Sequence, residues 1–461
     1  MKRTPLTLLL LALLAGGGPG RAEGFWEAYK NYWDRIIDHV VELDLYGNSA
    51  QLPQGIFGMK YEWNMRNAAG RYDSFRRRQP IAPPITFGEP GNEMLMLDLG
   101  ASGGGGGLTM QFSYGVTDML DFYIEIPLTY VDIQVRPKLR RFDHNQLDAT
   151  TKALLNALLP DNLQVDWNWF DEAGNTRPGS LNQASAWLLG LLPRLGRPAI
   201  GDWQNYPEDR GPGTEYDSHG MILSDVNLGF SWNFYRSARW SGSFTGRVYL
   251  PTGNVADPDN SLTLGTGAKI DWGTGSFGIS FTQNYDVRLL QLGYWLDVLL
   301  SFEFGASYHF QSHRRYPDFP KPTQDGNMLL DMLDPNRDYF PDLSELSGKN
   351  YGYTPGLSAS AMLQLGISSL IFDVGLGIGY GYFSEPEYDA DWRFIQMVRS
   401  LELSLAGHSE IFQVAAGVNL IPFYVPLQIH YKYQKEIGGR NTLFYSDNHW
   451  ITIQGYIPTM F

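Results

Sequence analysis

The residues of this chain that could do chemistry are scattered, and their spacing excludes most enzymatic readings. Gly273, Gly275 and Gly278 fit the pattern G-x-G-x-x-G, but the flanking residues alternate like strands and no helix follows, so the stretch reads as a turn. No P-loop, H-E-x-x-H or G-x-S-x-G occurs. His219, His309, His408 and His430 stand apart from one another, and Cys is absent, which excludes disulfides and thiolate metal sites. The acidic stretches Asp257–Asp259 and Glu385–Asp391 carry the hard oxygens that Ca²⁺ takes, yet they lack ordered ligand spacing, so solvated loops are the preferred reading. No catalytic residue, metal site or cofactor is expected.

What remains is a set of polar and charged residues that recur at every second position opposite apolar ones. In Leu108–Val131, Leu108, Met110, Phe112, Tyr114 and Val116 alternate with Thr109, Gln111, Ser113, Gly115 and Thr117. After Asp118 the alternation restarts, with Leu120, Phe122, Ile124, Ile126 and Leu128 against Asp121, Tyr123, Glu125 and Thr129. A period of two over this length is a strand with two unlike faces, and the short turn makes an antiparallel hairpin. The same alternation returns almost to the last residue. Collected strand by strand, one face carries Lys60, Glu62, Asn64, Arg66, Gln111, Asp121, Glu125, Asp225, Asn227, Asn233, Arg247, Lys269, Asp271, Glu303, Asp373, Gln428, His430 and Lys432. The chemistry such a face offers is that of a water-filled, ion-paired lumen rather than a catalytic centre.

The elements that must position this face are strands of an all-β fold. The pattern predicts a closed antiparallel transmembrane β-barrel of about 14 strands, within a range of about 12 to 16. The strands run about ten residues, as a tilted membrane strand requires, and long connections are mixed with short ones. Strict counting includes a strand through Ile270 and another near 398–406, and it then puts the Pro-rich stretch 311–353 on the side of the short turns. Long loops are expected near 67–107, which holds Arg76-Arg77-Arg78 and the run Gly103–Gly107, near 136–220 and near 311–353. Helical stretches are expected within the second loop, around Leu147–Leu159 and Leu181–Leu192. The Arg triplet reads as a solvated loop face, with lipopolysaccharide phosphates as an alternative partner.

The N-terminus has the make-up of a secretory signal over residues 1–22: Lys2 and Arg3, an apolar run from Leu6 to Ala15, and a small-residue cleavage site ending at Ala22. Export to the bacterial outer membrane is the implied address. Residues 23–50 follow as an N-terminal amphipathic helix, with Trp26, Tyr29, Trp33, Ile36, Val40 and Leu43 on one stripe. That helix is a candidate plug, its stripe facing inward-folded loop residues such as Leu154, Leu155 and Leu188 while Lys30, Asp34 and Arg35 meet the charged wall. Residues 51–461 form the barrel. A formal charge of −14 argues against nucleic-acid partners. The expected partners are outer-membrane lipid and lipopolysaccharide, a small-molecule solute, and the barrel-assembly machinery through a last strand ending at Phe461.

Several short motifs carry a family resemblance. Tyr114-Gly115-Val116-Thr117-Asp118 with Ile126-Pro127, then Leu223-Ser224-Asp225-Val226 with Leu250-Pro251-Thr252-Gly253 and Leu264-Gly265-Thr266-Gly267, resemble the MetA-pathway phenol-degradation family. That family is grouped with the FadL-type outer-membrane channels for hydrophobic compounds. The resemblance covers residues 108–290 and implies fourteen strands, an N-terminal plug and passage of small hydrophobic or aromatic molecules. The alternative function is a non-conducting barrel used for adhesion, structure or sheathing a partner.

Overall fold

The computed structural model describes Glu27 and residues 52–458, apart from 82–83, 90–91, 160–163, 197–213, 218–220, 254, 256–272, 293–295, 334–340, 401–405 and 424. Twelve strands close into one antiparallel barrel. They are β1 Ile56–Tyr72, β2 Ala101–Thr117, β3 Leu120–Val135, β4 Asn227–Arg236, β5 Trp240–Tyr249 and β6 Gly278–Leu292. The second half is β7 Leu296–His309, β8 Ser358–Ser368, β9 Phe372–Phe383, β10 Gly407–Asn419, β11 Leu427–Arg440 and β12 Thr442–Pro458. Each pairs with its neighbours in sequence, and β12 returns to β1 from Ile56↔Pro458 to Tyr72↔Thr442. The widest sequence gap in the wall is bridged where β3 pairs with β4, Glu125 opposite Asn227 and Leu120 opposite Trp232.

The wall has twelve strands, the lower end of the expected range of about 12 to 16. β5 pairs directly with β6, Tyr249 opposite Gly278 and Trp240 opposite Val287, so the wall has no place for a strand through Ile270, which lies outside the described residues. Nor does the wall hold a strand near 398–406, for β9 pairs directly with β10; 401–405 lie outside the described residues, and Trp392–Ser400 is a helix. Its Phe394 and Val398 face a loop core at helical spacing, a period of four that a search for alternation passes over. With these two strands removed, the stretch 311–353 falls on the same side as the other long loops.

The first loop is also shorter than expected. β1 continues to Tyr72 and β2 begins at Ala101, so the loop covers residues 73–100 and the glycine run lies inside a strand. A side chain at Gly106 would collide with the Asn64 carbonyl oxygen of the neighbouring strand and with the Tyr130 ring laid over it. Glycine here permits close approach, whereas a run of five suggests a loop to anyone reading composition alone.

At the other end the connections are brief, such as Asp118-Met119, residues 237–239 and residues 369–371. The long loops pack on one another instead of dangling. Residues 85–89, 92–98 and 138–142 form a three-stranded sheet. Against it lie α1 Ala149–Leu158, α2 Leu181–Leu191 and α3 Gln324–Leu333. Asp148 caps α1 by accepting from the Thr151 N–H, and both helices of the second loop form where the sequence places them. Leu97, Leu139, Phe142, Leu155, Phe170, Trp187, Leu188, Leu329 and Leu330 make one core shared by three loops. Leu189 and Leu192 of this cap pack with Val135 and Ala101 at the upper inner face of β2 and β3, which draws α2 in over the mouth.

A second loop core joins Tyr316, Phe319, Leu343 and Leu346 to Phe394. Here Arg393 donates to both Asp391 carboxylate oxygens at 2.9 and 3.0 Å, donates to the Asp342 carbonyl oxygen at 3.0 Å, and pairs with Glu345.

Trp187→Ala empties the centre of the cap core and should cost the cap about 3–5 kcal/mol. Limited proteolysis should then cut within 136–220 while the barrel keeps its heat-modifiable migration on gels. The Asp391 clasp should respond to acid. Its hydrogen bonds with Arg393 hold the carboxyl below its ordinary value of 3.8. A depressed carboxyl contributes stability above the unfolded value and loses it as pH falls through the folded one. Hydrogen exchange in 384–400 should therefore quicken below about pH 4, and Asp391→Asn should remove that dependence.

Candidate permeation path

Strand alternation in a closed barrel sorts side chains into two populations. Outward lie Phe372, Val374, Leu376, Ile378, Tyr380 and Tyr382 of β9, Phe122 and Ile124 of β3, and Ile279 and Phe281 of β6, all exposed. Inward lie the polar residues. The cross-strand register carries the inner face round the wall from Glu62 to Thr452, His430, Gly417, Asp373 and Ser368. In the other direction it runs from Lys60 to Gln111, Glu125, Asn227 and Tyr249. Ionisable groups inside and apolar ones outside form the distribution of a chain that crosses a bilayer with strands.

Of the residues expected on this path, Lys60, Glu62, Asn64, Arg66, Gln111, Asp121, Glu125, Arg247, Glu303, Asp373, His430 and Lys432 all stand on inner-face positions of strands, as do Asn227, Asn233 and Gln428. Lys269 and Asp271 lie outside the described residues. Asp225 sits elsewhere, above the start of β4 at the long-loop end. Its Oδ1 accepts from the Gly253 N–H at 2.9 Å, and its Oδ2 accepts from the Thr274 N–H at 2.7 Å and the Thr274 hydroxyl at 2.9 Å. Gly253 and Gly273 approach so closely around it that neither could carry a side chain. The Asp225 and Pro-Thr-Gly motifs are thus two halves of one rim clasp, and Asp225 is a tie between loop ends rather than a group on the path.

The inner groups engage one another. Lys60 Nζ lies 3.4 Å from Glu62, which also accepts from the Thr452 hydroxyl at 3.3 Å. Lys432 Nζ stands 4.4 Å from the centre of the Trp450 ring. Arg247 Nε donates to the Tyr123 hydroxyl at 2.8 Å, Asn227 donates to Glu125 at 3.1 Å, and His430 lies 3.6 Å from Asp373. A row of amides spans four strands, crossing β9 at Gly377: Gln434 of β11 donates to Gln413 of β10 at 2.6 Å, and Gln413 to Gln364 of β8 at 3.4 Å. The lining is not packed shut along its whole height, for Ser360 of β8 faces inward and is exposed.

Sequence reasoning missed Trp450, Asp286, Gln364 and Gln413. Trp450 holds an inward position between Asn448 and Thr452, and a search for polar residues on the inner face skips an indole. The others lie on strands whose alternation was read only from their apolar half. The Arg triplet is a rim feature: Arg76 pairs with Glu410, and Arg77 lies 3.1 Å from Asp73.

The chain enters the barrel from the short-turn end. Leu52 is buried against Gly58, its N–H donates to Asp121 Oδ2 at 3.2 Å, and the Gly55 N–H donates to the Gly115 carbonyl at 2.8 Å. Trp26, Tyr29, Trp33, Ile36, Val40 and Leu43 lie outside the described residues. The partners expected for their stripe are otherwise engaged: Leu155 and Leu188 are buried in the cap core at the opposite end, held there by Phe142 and Trp187.

Solved structures with similar folds are outer-membrane barrels. One is an outer membrane channel from Pseudomonas putida F1, at 12% identity and a TM-score of 0.45, over 89% of this chain and 98% of that one. Another is the translocator domain of the autotransporter NalP from Neisseria meningitidis, at 8% identity and a TM-score of 0.32, over 94% and 97%. A third is the NanC porin, at 5% identity and a TM-score of 0.29, over 86% and 97%. No family model matches this chain, and no curated protein matches it. At these identities and scores the likenesses assign no role to any residue.

Asp225→Ala should free the backbone groups that its carboxylate holds, at about 1–3 kcal/mol for each buried donor left unpaired. The expected outcome is faster protease cleavage between residues 250 and 277 with the barrel still assembled.

Proposed function

We propose that this chain is a bacterial outer-membrane channel for passive passage of small molecules. The observation that carries this reading is the inverted distribution of side chains, apolar outside and ionisable inside, on a barrel with no unpaired edge. Charges on an inner wall need water or one another, and water in a lumen is a route. In this reading the short turns face the periplasm and the loop cap faces outward, with lipid and lipopolysaccharide around the apolar band. The signal is removed after Ala22, and the strand leading to Phe461 serves the barrel-assembly machinery. The resemblance to the phenol-degradation family favours small hydrophobic or aromatic solutes, and the inward rings of Tyr123 and Trp450 suit an aromatic guest.

The N-terminal helix is read as a plug entering from the periplasmic side. Leu52, tied to the inner residue Asp121, supports this by leading the preceding chain to the lumen's mouth. The second reading, a non-conducting barrel for adhesion or a partner, is favoured by the cap, whose loops share a buried core of their own.

Purified protein in planar bilayers should conduct ions, and in liposomes it should pass small solutes. Deleting residues 25–45 should raise conductance several-fold. Unchanged conductance in a correctly inserted deletion places the helix at the periplasmic surface, and a barrel that passes nothing supports the second reading.

A further inference from the structure

Among the ionised inner-wall groups, Lys432 and Glu303 differ from the rest. Glu62, Glu125 and Asp373 each have a partner within hydrogen-bond or ion-pair reach. Glu303 makes no hydrogen bond or ion pair among the described residues, and Lys432 makes none beyond its place over the Trp450 ring. The two nevertheless attract one another electrostatically. β7 and β11 are separated in the wall by β8, β9 and β10, so that attraction is exerted across the lumen and not along the sheet.

The surrounding charges sharpen the contrast. Near Glu303 lie Asp286 of β6 and Arg247 of β5, and near Lys432 lie Lys60 and Glu62 of β1. Arg247 and Asp286 act on Glu303 in opposite senses, and Lys60 is offset by Glu62 at 3.4 Å, which leaves Glu303 as the excess anion on one wall and Lys432 as the excess cation on the other. The inner positions level with Glu303 on β8 and β9, Met362 and Gly379, and the one level with Lys432 on β10, Ala415, are uncharged. Asp373, nearer the short-turn end of β9, is engaged 3.6 Å from His430.

We propose that Glu303 and Lys432 are specificity-determining residues, a polarised constriction whose transverse field selects small dipolar or zwitterionic solutes over simple ions. The inference rests on the channel reading. A solute carrying a cationic and an anionic group can meet both walls at once, replacing the water each charge would otherwise keep. A simple ion is attracted by one wall and opposed by the other.

The test is electrical and uses the full chain, with heat-modifiable migration selecting folded barrels. In a KCl gradient the wild type should be nearly unselective. Glu303→Gln should raise the chloride-to-potassium permeability ratio at least about twofold, and Lys432→Gln should lower it by about as much. The double variant should return towards the wild-type ratio while passing β-alanine more slowly than wild type, relative to glycerol, in liposome swelling. The charge swap Glu303→Lys with Lys432→Glu keeps the pair and should restore β-alanine passage. Ion flux indifferent to both single substitutions overturns this inference and leaves the channel reading standing. A wild-type barrel that conducts no ions overturns both.

Discussion

The constraint on which this structure depends is that every backbone amide facing hydrocarbon must find its partner within the protein. A strand edge left open in lipid costs several kcal/mol for each group without a partner. The pairing of β12 with β1, from Ile56↔Pro458 to Tyr72↔Thr442, removes that edge. Closure then decides the rest. Once the ladder is a ring, a period of two becomes a division between inside and outside, and the same alternation that would line a soluble sandwich separates lipid from water. It also fixes where length can be inserted: a few residues suffice at the short turns, and every long insertion lies at the other end.

The loops at that end behave as a domain in their own right. Helices and a small sheet from three connections bury Leu139, Trp187 and Leu330 together, and Leu189 presses on Val135 inside the rim. Hydrophobic burial holds the cap, while hydrogen bonds hold the barrel. Damage to one should leave the other standing, so the cap can narrow the mouth without setting the stability of the wall. The Asp225 clasp and the Arg393–Asp391 pair sit between these two regimes as polar ties that orient loops.

Much of this was legible in the residues. Alternation identifies the all-β barrel, the hairpin at Asp118 and nearly all the inward charges, because side-chain parity is dictated by backbone geometry and not by packing partners. The two helices of the second loop could be read from apolar spacing between Pro, Gly and Asp breaks. What could not be read depended on long-range contact. Twelve strands and not fourteen follow from β5 meeting β6 and β9 meeting β10, facts held by no local window. The Gly103–Gly107 run looked like a loop because its reason for being glycine, the nearness of Asn64 and Tyr130, comes from other strands. Asp225 has the parity of a lumen residue, and only the turn at Thr274 shows that it closes a clasp.

The central claim is that one face of each strand meets water and the other meets lipid. Because the chain has no Cys, single cysteines along β8 can be read without background. Reconstituted in vesicles and treated with a water-soluble, membrane-impermeant maleimide, Cys substituted for Ser358, Ser360, Met362 or Gln364 should be labelled. Cys substituted for Ala359, Ala361, Leu363 or Leu365 should be protected until the bilayer is dissolved. Labelling that alternates with a period of two is the predicted result, and labelling that ignores side-chain parity contradicts the account.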